Sequence, residues 1–156
     1  MEYPPLHTLF IEESNRIEGI HVFNVHNERD AYGRFLELEE ITVPALQEFV
    51  ETIQPGTALR DQFGMDVRVG NHVPKRGGPD IPEYLQQILN LVNDGNLYLT
   101  PYEAHHMYEH LHPFNDCNGR SGRALWLWMM HREDVYPETF LHNWYYQSLQ
   151  NNPLRN

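Results

Sequence analysis

Between His112 and Arg123 the chain reads His-Pro-Phe-Asn-Asp-Cys-Asn-Gly-Arg-Ser-Gly-Arg, and an apolar run over 124–130 follows directly. Each polar type here has a use. His112 brings a group that titrates near neutral pH, and Asp116 a hard oxygen suited to Mg²⁺. Gly119 and Gly122 let a ligand come close to the main chain. If the apolar run is a helix, its first-turn N–H groups have no internal partners and form the positive end of a dipole, a natural seat for an anion. Arg120 and Arg123, three apart, share a helix face, and their long side chains lean toward the N-terminus. Cations there are disfavoured by roughly 0.3–1 kcal/mol each, so a polyphosphate would offset the repulsion. The plainer alternative is that both arginines pair with some of the twenty-two acidic residues. His112 and Asp116 beside the same loop favour the anion seat, because base, metal ligand and phosphate clamp then coincide.

The elements needed to position this loop are legible in the pattern. A helix that is apolar all round lies inside a bundle, with its polar start at the floor of a pocket. Helices are also expected over 6–18, with Gly19 as its C-terminal cap, and over 28–38, 43–53, 82–92 and 101–110, two of them opening with proline. In 65–70, Met-Asp-Val-Arg-Val-Gly alternates apolar and charged residues, which predicts a short hairpin. The loop 74–79, rich in glycine and proline, is expected to be exposed and mobile. Residues 137–146 should add a closing helix with aromatics that join the core, and the polar ends 3–5 and 151–153 should fray. The fold class is mainly α, a helical bundle with a small β-hairpin flap.

The loop resembles the hallmark of the Fic family, His-Pro-Phe-x-(Asp/Glu)-Gly-Asn-Gly-Arg-x-x-Arg, matched at every specified position except Cys117. The resemblance implies a single Fic domain over 1–156 and a protein adenylyltransferase that moves AMP from ATP onto a hydroxyl of a target protein. By the same resemblance, His112 is the general base, Asp116 holds Mg²⁺, and Asn118 with the backbone from Cys117 to Gly119 steadies the phosphates. Arg120 and Arg123 grip the β- and γ-phosphates. Catalysis would rest on positioning and electrostatic stabilisation of an in-line attack at the α-phosphorus. Cys117 replaces a glycine with permissive backbone angles; a helix N-terminus would lower its thiol pKa, so a nucleophilic cysteine is one alternative.

Upstream, Ser14-Asn15-Arg16-Ile17-Glu18-Gly19 resembles the family's inhibitory motif, (Ser/Thr)-x-x-x-Glu-(Gly/Asn). Glu18, in the last turn of one helix, and Arg123, in the first turn of another, are each misplaced for their dipole and would relieve each other. The resemblance implies that Glu18 occupies the place of the γ-phosphate, with Ser14 and Gly19 fixing the helix at about 5–19. In some relatives the same glutamate helps remove AMP. The alternating stretch resembles the family's flap, at about 61–73, where Asp66, Val67, Arg68, Val69 and Gly70 would line up a target by strand-like pairing. The alternative there is a plain hairpin with no ligand.

Composition and spacing bear on other classes too. A net charge of −11 disfavours nucleic acid. The N-terminal residues carry no signal-peptide pattern and no apolar run is long enough for a membrane. The single cysteine requires no oxidising compartment, so the cytoplasm is expected. His106, Glu109 and His110 fit a zinc-peptidase pattern, H-x-x-E-H, against the simpler account that these histidines package the helix leading to the loop. A Fic-fold binding module without turnover, or a Fic enzyme with another donor, is the remaining alternative.

Overall fold

The computed structural model of the chain describes residues 5–95 and 99–150, the side chains of Pro5 and Leu6 excepted. Most of the two polar ends therefore lies outside the described residues, although Pro5 opens the first helix. The helices are α1 (Pro5–Ile17), α2 (Val25–Leu36), α3 (Val43–Ile53), α4 (Asp80–Asn93), α5 (Pro101–Leu111), α6 (Asn118–Arg132) and α7 (Leu141–Gln150).

Local chemistry sets their starts. Asn24, Thr42 and Thr100 each accept a backbone N–H three residues on, at 3.0, 3.1 and 3.1 Å, so they cap α2, α3 and α5. The Asn24 cap moves α2 to an earlier start than the expected 28. α4 begins at Asp80, which places Pro82 within its first turn rather than at its head.

α6 is the axis, as its all-round apolar sequence requires: residues 120–130 are all buried, and α5, α2, α1 and α3 pack around it. Leu125 and Leu127, at 0% exposure, each contribute about 1.5–3 kcal/mol by leaving water. The buried indoles do not strand their N–H groups, since Trp126 donates to Gln147 at 2.8 Å and Trp128 to the Leu38 carbonyl at 2.9 Å. No helix among the described residues is long and apolar enough to cross a membrane.

Three expectations need correction. The strand predicted over 65–70 does not form; its pairing is reduced to one antiparallel bridge, Val69 with His72, around Gly70 at φ 58°. The alternation survives only in part as burial: Met65 and Val67 are half-buried and Asp66 and Arg68 exposed, but Val69 is exposed as well. The segment's polar groups bond elsewhere: the Met65 carbonyl accepts from Arg60 at 3.0 Å, and Asp66 from the Gly77 N–H at 2.9 Å. The loop 74–79 is not simply exposed, because Pro74, Gly77 and Gly78 are buried. A Cβ on Gly77 would fall 2.4 Å from the Met65 carbonyl oxygen, so glycine there serves close packing. In the tail, Phe140 enters the core, but Tyr145 and Tyr146 are 58% and 55% exposed.

Candidate active site

α5 ends on His112, whose main chain is left-handed at φ 52° and ψ 63°. Such a conformation is unfavourable for a residue with a Cβ and must be held from outside. The short stretch 58–60 does this by lying against the loop: Asn115 N–H donates to the Ala58 carbonyl at 3.0 Å and Arg60 N–H to the Pro113 carbonyl at 2.9 Å. The Arg60 guanidinium, fully buried, then reaches four carbonyls, those of His112 (2.7 Å), Leu111 (3.0 Å), Met65 (3.0 Å) and Lys75 (2.9 Å). One buried cation thus joins the end of α5, the flap segment and the loop behind it. Nothing in the sequence distinguishes Arg60 from any other arginine. Arg60→Met leaves these carbonyls without their donor, and a loss of about 3 kcal/mol or more is expected. A thermal melt should register this as a fall in Tm of about 6–12 °C.

The His112 ring is fixed through one nitrogen. Nδ1 lies 2.9 Å from the Glu109 carbonyl oxygen; a carbonyl only accepts, so Nδ1 carries the proton and neutral His112 keeps a lone pair on Nε2. Burial pushes its pKa below the ordinary histidine value; the Glu109 carbonyl opposes that, and the charges of Arg60 and His72 reinforce it. At neutral pH the ring is therefore a free base.

Beyond it, Cys117 takes the N-cap position of α6, again left-handed at φ 66° and ψ 15°. A glycine would hold this geometry without strain. Burial pushes the thiol up to about 11, opposite to the lowering expected from the helix N-terminus, so desolvation wins and the cysteine is not a ready nucleophile. Asn118 uses both ends of its amide on Phe114, accepting from its N–H at 2.9 Å and donating to its carbonyl at 2.8 Å. Its side chain therefore shapes the loop. Ser121, which no motif specifies, donates to the Cys117 carbonyl at 2.7 Å and accepts from the Tyr108 hydroxyl at 2.6 Å.

The two glycines differ. A Cβ on Gly119 would lie 2.1 Å from Glu18 Oε1 and 3.0 Å from an Arg123 nitrogen, so Gly119 makes room at the anion seat. A Cβ on Gly122 would meet Glu109 Oε1 at 2.3 Å and Tyr108 at 3.0 Å. Gly122 therefore admits α5 rather than a ligand, which corrects its expected role.

α1 supplies the partner of Arg123. Its end is a Schellman turn: the Ile20 N–H bonds the Asn15 carbonyl at 2.9 Å and the Gly19 N–H that of Arg16 at 3.0 Å, with Gly19 at φ 73°. The turn points Glu18 across to α6, where its Oε1 accepts from Arg123 at 2.6 Å. Arg123 also donates to Ser14 Oγ at 2.7 Å and to the Ser14 carbonyl at 3.0 Å. Arg120 is held less formally, by Gln54 and by Asn15 at 3.5 Å. Asn15 also donates to buried Glu28 at 2.9 Å. Asn15 fills an unspecified position of the inhibitory motif, and Glu28 and Gln54 sit outside both motifs, so no local pattern singles out any of the three.

Glu18, Arg120, Arg123, His112 and Asp116 all line one cavity of about 650 Å³, closed on one side by Val67, Arg68 and Val69 of the flap segment. Of the expected docking residues, Asp66 instead braces Gly77 and Gly70 makes the turn. Asp116 is exposed on the wall, and its Oδ1 accepts the Cys117 N–H at 2.7 Å. One carboxylate beside two arginines fits the way Mg²⁺ is held with phosphates, through few protein ligands and several oxygens of the substrate. The zinc-peptidase alternative is not supported. His106 and His110 are exposed, Glu109 turns toward Gly122, and no group of three or more His, Cys, Asp or Glu among the described residues could hold a metal. His105, by contrast, is buried, with a pKa pushed down to about 4 by desolvation.

The comparisons agree with this geometry. The chain is similar to a crystal structure of a Fic domain containing signaling protein from Bacteroides thetaiotaomicron, with 22% identity and a TM-score of 0.55. The match covers 86% of this chain and 66% of that one, so the chain spans just under two thirds of its relative's length. At that identity the likeness speaks for the fold. The model of the Fic/DOC family matches residues 34–130, which run from α2 through the flap segment and the loop to the buried helix. Joined to a loop that sets a free imidazole and two arginines on one cavity, that match identifies the chain as a member of the Fic/DOC family.

Proposed function

We propose that the protein transfers AMP from ATP to a hydroxyl of a target protein and that Glu18 restrains it. The observation that carries this reading is the shared cavity, where neutral His112 and the paired guanidinium groups of Arg120 and Arg123 face the same space. Nε2 of His112 takes the proton of the incoming hydroxyl, whose oxygen forms a bond to the α-phosphorus as the bond to the β-phosphate oxygen breaks. Arg120 and Arg123 hold the pyrophosphate end and offset charge that grows on the leaving group. Asp116 would hold Mg²⁺, which when bound neutralises phosphate charge. The N–H groups at the start of α6 are suited to the same anion.

Restraint follows from the Arg123 contacts. In the resting arrangement Glu18 presents a carboxylate where a terminal phosphate would be gripped, and Gly119 leaves the space in which either anion can sit. The target would approach along the flap segment, where Val67, Arg68 and Val69 line the cavity edge although strand pairing is minimal.

The test is label transfer. Incubated with Mg²⁺ and ATP labelled at the α-phosphorus, the protein should label itself or a protein in an extract, and label at the γ-phosphorus should not transfer. Binding of ATP with no transfer under any condition would favour the binding-module reading; transfer of a group from a different nucleotide would replace the donor.

A further inference from the structure

Glu109 lies in the same cavity, yet neither family motif includes it. It sits one turn before His112 on α5, with Oε2 4.0 Å from His112 Nδ1. Its Oε1 is buried without a hydrogen-bond partner and rests where a Cβ of Gly122 would be. An unpartnered buried carboxyl oxygen is costly, and function is a frequent reason for keeping one. Glu109 also lines a second cavity of about 370 Å³, with His72, His106 and His110, which shares His112 and Val69 with the first. It therefore stands at the junction of two spaces that meet at the imidazole.

The geometry points to Glu109 as a positioning residue that sets the basicity of His112 by changing its own charge. This rests on the reading of His112 as the base. Around the carboxyl stand Arg123 from α6, which favours its ionised form, and Glu18 from α1, which opposes it. Arg60 and His72 from the flap segment act on His112 itself to lower its pKa, and Glu18 acts to raise it. Burial of its inner oxygen dominates, although 29% of the side chain is exposed, and pushes Glu109 up to about 8, so the neutral acid prevails at pH 7. While it is neutral, the desolvated imidazole stays a weak, unprotonated base. Once ionised, the carboxylate stabilises the imidazolium that forms as the hydroxyl loses its proton. A carboxylate within about 4–6 Å raises a neighbouring pKa by roughly 1–3 units, and a base gains part of that in rate. Activity should thus rise a second time as pH passes about 8, by roughly tenfold.

Glu109→Gln keeps the shape and cannot ionise. In wild type, the NMR shift of the His112 Cε1 proton should show a second inflection near pH 8, and Glu109→Gln should lack it. Two further readouts accompany it. In a Glu18→Gly background, the alkaline rise in AMP transfer should vanish with Glu109→Gln while KM for ATP holds. Glu109→Gln should also raise Tm, because the wild-type carboxyl binds a proton more tightly when folded. That favours the wild type fully only below its unfolded pKa, and the advantage is lost as pH climbs toward the folded value of about 8. The Tm difference should therefore open between pH 4.5, the ordinary glutamate value, and 8. Absence of the second inflection in wild type, or its persistence in Glu109→Gln, overturns the proposal. A chain that transfers no AMP but shows the coupled titration leaves this inference standing and removes the catalytic reading instead.

Discussion

His112→Ala is expected to abolish AMP transfer, with a fall of about 10²–10⁴-fold, the range for loss of a positioned general base. The size follows from how little else could take the proton. Glu109 holds its own proton at neutral pH, Cys117 is protonated up to about 11, and Asp116 faces the phosphate side. Binding should survive, since the imidazole donates nothing to Arg120 or Arg123, so ATP affinity measured by calorimetry should change by less than a few-fold. The wild-type rate should also fall with acid. The His112 pKa is depressed by burial, so the base remains deprotonated below the usual histidine value of about 6.5 and activity fades only beneath it. A rate that is already halved above pH 7 would contradict that placement.

Glu18→Gly should have the opposite sign. A hydrogen bond to a charged group contributes about 1.5–3 kcal/mol, and 39% of the Glu18 side chain is exposed, which screens the pair and points to the lower figure. Removing the competitor should therefore raise transfer about tenfold. The same change strips Arg123, whose side chain is only 6% exposed, of its carboxylate. Its charge is then left to Ser14, and the melting temperature should drop in the absence of nucleotide. ATP should restore it by filling the vacancy with phosphate. Labelling and melting curves on one preparation check both halves; unchanged labelling in the variant refutes restraint by Glu18.

These two residues stood out in sequence through the resemblance to the family's two motifs, and for Glu18 through its unfavourable place in the last turn of a helix. Gly19 after a helical pattern marks a left-handed cap, and the residue before it must face outward from the helix end, which is where Glu18 is found. The all-apolar run after Arg123 demands burial on every side, which fixes the loop at the floor of a cavity. Helix starts were legible where a threonine stands before a proline-bearing first turn, as in α3 and α5, but the Asn24 cap of α2 and the start of α4 ahead of Pro82 were not.

What only the tertiary structure decided are contacts between residues far apart in the chain. Arg60 meets Leu111 and His112 about fifty positions away, and no local pattern encodes which arginine will be enclosed by carbonyls. The flap shows the same limit: alternation hinted at a ladder, but whether one forms depends on what else bonds the main chain, and the Met65 carbonyl is taken by Arg60. Gly122 looked like ligand clearance until Glu109 was found in the space. Sequence determines periodicity, caps and the chemical inventory through short-range sterics and burial; charge state and enclosure depend on desolvation, which exists only once distant segments have closed over a group.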